Sequence, residues 1–215
     1  METTSTRSTY LAEHFTDAAQ QQDSAKLGMW IFLLTEVLLF GGLFCAYAIY
    51  RAWYPDMFYN AHKHLDVTLG TVNTVVLILS SVTVALAVRS IQLNMKKQTV
   101  FLLLATLLFA ATFMVIKYFE YSHKFHLGQL PGKFYTYTGI EGTNPHIFFT
   151  VYFTMTGLHG LHVLAGMIVI TWVMFRTMRG DFSSEYYTPV EVVGLYWHLV
   201  DMIWIYLFPL LYLVG

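Results

Sequence analysis

Glu36, His159, His162, His198 and Asp201 are ionisable side chains set inside long apolar runs. An unpaired charge at mid-membrane costs about 2.5–3.5 kcal/mol or more, so groups in such runs face protein or water and find partners. His159 and His162 are three residues apart, as are His198 and Asp201, and on a helix that spacing puts each pair on one face. Glu120, between Phe119 and Tyr121 just past the third run, belongs with them. Three chemistries are open to this set. The groups can cross-link helices by hydrogen bonds, with Glu36 protonated or paired. They can relay or sense protons. They can ligate a metal, for which His and carboxylate alone suit zinc or non-haem iron, whereas haem held across two helices needs paired histidines at two depths. Glu36 and His198 lie at similar distances from the starts of their runs, which makes them candidates for a mutual pair. His62, His64, His123, His126 and His146 fall between runs, where solvated histidine is the simpler reading.

The elements that carry these groups follow from composition. The 215 residues are 56% hydrophobic and 12% charged, where soluble domains carry about 25% charged residues. Apolar runs at 28–50, 67–88, 99–119, 147–175 and 192–214 each reach the roughly 20 residues needed to cross a bilayer as a helix. Residues 75–79 and 102–108 are apolar at consecutive positions, unlike the alternation of barrel strands. Unbroken apolarity requires a backbone that satisfies its own hydrogen bonds in lipid. The expected fold is all-α, an integral membrane bundle of five transmembrane helices over 28–215, preceded by a polar tail, 1–27. The fourth run must tilt, bend or protrude, and Pro209 should kink the end of the fifth. Lys117 can snorkel to the boundary. Gly194, His198, Asp201 and Ile205 form one stripe, and Gly157, Gly160 and Gly166 mark a packed face. Trp30, Tyr50, Trp53, Tyr54, Tyr118 and Tyr121 suit membrane-boundary anchoring. The stretch 120–146 reads as an ordered cap.

Several function classes drop out. Nucleic-acid binding needs a basic stripe, and none exists. Cys45, the only cysteine, rules out an internal disulfide, a zinc ribbon, an iron–sulfur cluster, a covalently attached haem and a dicopper centre held by two cysteines. The first apolar run is too long for a signal-peptide core and reads as a retained anchor. One set of connections carries Arg7, Lys26, Arg89, Lys96, Lys97, Arg176 and Arg179; the other carries Arg51, Lys63, Lys124, Lys133 and the borderline Lys117. The positive-inside rule then puts the N-terminus in the cytoplasm and the C-terminus in the periplasm.

The motifs resemble the cytochrome c oxidase subunit III family. The segment TGLHGLHVLAG from Thr156 is similar to the family hallmark, with His159 and His162 as its two histidines. LYWHLVDMIWIY from Leu195 resembles the final-helix motif and places His198 and Asp201. LLTEVLLFGGLF from Leu33 is similar to the helix bearing the family's buried carboxylate, here Glu36; TVNTVVLILSS from Thr71 and Phe119-Glu120-Tyr121 are further likenesses. The likeness implies an accessory subunit without a redox centre, haem and copper residing in partner subunits. It would pack on oxidase subunit I, beside subunit II, support proton uptake and protect the enzyme during turnover, with cytochrome c as the indirect electron donor. It further implies a bacterial inner membrane location and a phospholipid whose head group lies near Arg176 and His162. Longer members have seven spans; this chain lacks the first two, which form one wall of a lipid-holding cleft. Alternatives are a quinol oxidase subunit, a relative serving nitric oxide reductase, and a free-standing membrane haem or metal protein using the intramembrane histidines.

Overall fold

The computed structural model describes residues 11–140 and 143–214, and the regular elements among them are helical. In chain order they are α1 (Ala18–Trp53), α2 (Pro55–His62), α3 (Val67–Gln92), α4 (Lys96–His126), α5 (His146–Arg179) and α6 (Thr188–Phe208), which continues as a π-helical turn, Pro209–Leu213. Five of them, α1, α3, α4, α5 and α6 with its continuation, are long and apolar enough to cross a membrane. Arg7 lies outside the described residues.

The helices overrun the apolar runs that seeded them, because capping rather than hydropathy decides where a helix stops. At 1.5 Å per residue the 36 residues of α1 span about 54 Å. The Asp17 side chain accepts from Gln20 N at 2.8 Å and caps its start. Residues 18–27, assigned to the polar tail by composition, are thus the first turns of α1. They brace α6, since Lys26 Nζ lies 3.1 Å from Glu191 and Gln22 Nε2 donates to the same carboxylate at 3.5 Å. At the opposite end α4 runs on to His126, so Glu120, Tyr121, His123, Lys124 and His126 are helical and the connection begins only at Leu127. The short α2 was not signalled by hydropathy; Pro55 starts it, and Met57, Phe58 and Ala61 bury its inner face. Helix α5 stops at Gly180, whose φ of 89° favours glycine, and Asp181 N reaches back to Arg176 O at 3.1 Å.

Helix α6 is the centre of the bundle. It packs on α1, α3 and α5, while α4 closes against α3 and α5, and α1 against α5. Over half of its apolar stretch (56%) is buried, against 17% for α1. The turn between α3 and α4 is three residues long, with Asn94 in the left-handed region at φ 59°, so the two form a tight antiparallel hairpin. Trp197, Trp204, Phe113, Tyr152 and Phe40 are fully buried between the helices. Trp30, Leu38, Phe101, Ile168 and Tyr206 point outward and give the bundle an apolar girdle. The expected kink at Pro209 takes the form of a π-turn: Val214 N bonds Pro209 O at 3.0 Å, and Tyr47 OH of α1 donates to Leu210 O at 2.6 Å.

The glycines separate by environment. Only Gly166 of the α5 set is closely packed: a Cβ there would lie 2.7 Å from Trp197 Cζ3, whereas one at Gly160 would meet nothing within 4 Å and one at Gly157 only Tyr121 OH at 3.8 Å. Gly157 and Gly160 therefore line an open groove rather than a helix contact. Gly166→Ala should destabilise the bundle by about 1–3 kcal/mol through overpacking, while Gly160→Ala should be neutral or gain up to about 1 kcal/mol of helix propensity. Thermal unfolding of both variants in one detergent measures the contrast.

Candidate functional site

Glu36 projects from mid-α1 toward α5, where His162 Nε2 lies 2.8 Å from its Oε2. The other ring nitrogen of His162, Nδ1, is 2.8 Å from Leu158 O. A carbonyl can only accept, so Nδ1 carries a hydrogen. With Nδ1 donating to the carbonyl, Nε2 is the ring atom that faces the Glu36 carboxylate. Tyr196 of α6 donates to His162 O at 3.0 Å, and Phe40 packs edge-on to the imidazole at 5.2 Å. Both side chains are mostly buried, at 16% and 14% exposure. The structure thus replaces the Glu36–His198 pairing expected from depth. The two residues do lie on α1 and α6, which touch, but their azimuths diverge: Glu36 faces α5 and His198 faces α3.

His198 Nδ1 meets Ser81 Oγ at 2.6 Å. One turn on, Asp201 Oδ2 is 3.4 Å from Ser80 Oγ, which also takes the Trp197 Nε1–H at 3.0 Å. Gly194 lies 3.1 Å (as a built Cβ) from Val88 Cγ2, so the α6 stripe does run along α3 as far as Asp201. Ile205 leaves it and is exposed. His159 shares a helical face with His162 in sequence terms only. It is fully buried between Phe113 of α4 and Trp204 of α6, at centroid distances of 5.5 and 5.2 Å.

Hydropathy placed Lys117 at the boundary, snorkelling; the structure turns it inward. Its Nζ lies 2.8 Å from Glu120 Oε2 and 2.6 Å from Tyr212 OH, and 4.5 Å over the Trp204 ring. Glu120 Oε1 accepts from Tyr152 OH at 2.8 Å and Tyr212 OH at 2.6 Å. Lys124, also buried, donates to His64 O at 3.3 Å. A buried ion pair with all its partners in place outweighs the short reach to the boundary. Lys117 and Glu120 are three residues apart, so the spacing that singled out the histidines also marked this pair. Tyr121, expected as an anchor, is instead turned in against Phe153, with its OH 2.6 Å from Thr156 Oγ1.

Arg176 ends α5 with its Nε 2.7 Å from Asp181 Oδ2 and its guanidinium over Trp172 and Phe182. It stands 14 residues beyond His162 on α5, about 21 Å along the axis. Among the described residues no three His, Cys, Asp or Glu side chains converge to hold a metal ion.

Five long apolar helices around a pair-linked polar interior define a multi-pass membrane protein. The family model for Cytochrome c oxidase subunit III matches residues 2–215, and the chain belongs to that family. It is 32% identical over 92% of its length to cytochrome c oxidase subunit 3 of Thermostichus vulcanus, covering 90% of that protein. It is 29% identical to cytochrome bo(3) ubiquinol oxidase subunit 3 of Pseudomonas putida, over 88% of this chain and 85% of the other. It also matches the heme-copper oxidase subunit I+III of Aeropyrum pernix, 30% identical over 90% of its own length, and spans 23% of that longer protein. The chain is therefore a subunit III of a haem-copper oxidase.

Two double-mutant cycles read the polar interior. Glu36→Ala and His162→Ala should couple by about 1 kcal/mol or more, whereas Glu36→Ala and His198→Ala should add within about 0.5 kcal/mol; unfolding midpoints of the four-membered sets decide. Lys117→Met should destabilise by about 3–5 kcal/mol because it strands Glu120, and Lys117→Met with Glu120→Gln should recover part of that loss in the same assay.

Proposed function

We propose that this chain is an accessory subunit with no redox centre of its own, packed directly on subunit I of a proton-pumping oxidase that takes electrons from cytochrome c. In this reading it sustains proton uptake into subunit I, lies beside subunit II, and resides in a bacterial inner membrane. The observation that carries the reading is the Glu36–His162 pair, a carboxylate and an imidazole 2.8 Å apart in the middle of the bundle. Arg89, Lys96, Arg176 and Arg179 lie at or near the helix ends on the side where α1 begins, which supports a cytoplasmic N-terminus. Residues 1–27 are then cytoplasmic, the last of them as the helical entry to α1, and 28–215 form the membrane bundle. Arg176, at that same end, suits a phospholipid head group, with His162 at chain depth.

A quinol-oxidase role is the second reading, favoured by the ubiquinol oxidase relatives in Pseudomonas putida and Buchnera aphidicola, at 29% and 28% identity. Oxygen uptake by the intact complex separates the two. Reduced cytochrome c should support turnover and ubiquinol should not; uptake with ubiquinol alone would select the second reading. Within the same complex, Glu36→Ala should leave the initial rate near wild type and shorten the active lifetime several-fold during sustained turnover. Stoichiometric haem or copper in the isolated chain would overturn the accessory role.

A further inference from the structure

A groove separates the last turns of α1 from the π-turn that follows α6. It encloses about 480 Å³ and is lined by Phe44, Tyr47, Ala48, Arg51, Tyr206 and Leu210 among others. That size falls in the range of sites for small apolar ligands. It lies where α1 passes the π-helical continuation of α6, and the small side chains of Ala48 and Ala52 lie in its wall. The walls are mostly apolar, with hydroxyls from Tyr47 and Tyr206; Arg51 is the one charged residue lining it, and Ala52 and Pro55 continue the wall beyond it.

Arg51 directly follows the apolar run 28–50. Tyr50 and Trp53, with rings packed edge-to-face at 5.9 Å, flank it and are exposed. Exposed Tyr and Trp mark head-group depth, so the guanidinium stands at the membrane boundary while the groove descends from it toward the bilayer middle. Arg51 Nη2 donates to Val214 O at 3.0 Å, which uses one of the five N–H donors of the fork and fixes its direction. A guanidinium pairs with phosphate oxygens by charge-assisted, often bidentate hydrogen bonds.

We propose that this groove is a phospholipid site on the side opposite the N-terminus, in which an acyl chain lies against Phe44, Ala48 and Leu210 and an anionic head group is held by Arg51. The apolar length below a single boundary cation matches a molecule with that division of chemistry. The site is distinct from Arg176, which sits at the other end of the bundle, and it does not depend on the role assigned to Glu36.

The test uses the intact complex, reconstituted in nanodiscs of phosphatidylcholine with phosphatidylglycerol as the minor lipid, then stripped with detergent and analysed for retained lipid by mass spectrometry. Wild type should retain phosphatidylglycerol in preference to phosphatidylcholine. Arg51→Gln should weaken that retention by about tenfold or more, the scale of a charge-assisted hydrogen bond, and Arg51→Lys should restore part of it. Ala48→Trp, which fills the groove and keeps the cation, should lose the lipid as well, while Arg176→Gln should leave this retention intact. Equal retention of the two lipids by wild type overturns the proposal without recourse to any variant. So does unchanged retention in Arg51→Gln, or a photo-cross-link from position 48 to another subunit instead of to lipid.

Discussion

A hydrogen-bonding group inside hydrocarbon has no water to turn to, and each one left alone costs several kcal/mol. Most of the polar groups in this bundle answer to that constraint. The backbone answers by running as helices well past the apolar limits. Hydroxyls along the spans return to their own helix: Thr71, Thr106, Thr112 and Thr171 donate to carbonyls four residues earlier. Several larger polar groups reach a neighbouring helix instead, as Glu36, His198 and Glu120 do, while His159 and Asn73 are buried without a hydrogen-bond partner.

The partners divide into two layers along the bundle. Toward the side where α1 begins lie Glu36 with His162, His198 with Ser81, and Asp201 with Ser80 and Trp197. Toward the other side lie Lys117, Glu120, Tyr152 and Tyr212, closed over by Lys124. His159 stands between them, packed on Trp204, whose ring also carries the Lys117 ammonium. The second layer is a junction of four side chains from two helices and the π-turn. The first contains the carboxylate–imidazole pair of Glu36 and His162, which joins α1 to α5.

Much of this was readable from residue types alone. Five apolar runs without strand-like alternation specify five spanning helices, because the other way to bury a backbone in lipid, a closed barrel, requires that alternation. The intramembrane acid and histidines announce themselves by their rarity there. What one sequence does not carry is azimuth. Depth along a helix can be counted in residues, and on that count Glu36 and His198 look matched; which neighbour a side chain faces depends on how five cylinders pack, and that packing turned Glu36 to His162. Hydropathy misled in the same way at Lys117, where a charge near a run's end looked like a boundary residue until Glu120 and Tyr212 were seen inside. Helix ends were missed because capping by Asp17 and Gly180 is local chemistry that an apolar window does not register.

The placement of α6 bears on biogenesis. The central helix is made after the four other spanning helices among the described residues, so these enter the bilayer before the helix that packs against them. Ser80, Ser81 and Thr74 of α3 wait without Asp201, His198 and Trp204, and Lys117 waits without Tyr212. Until α6 joins them, the four spanning helices before it lack the surface that α1, α3 and α5 share, and its arrival brings the set into one body.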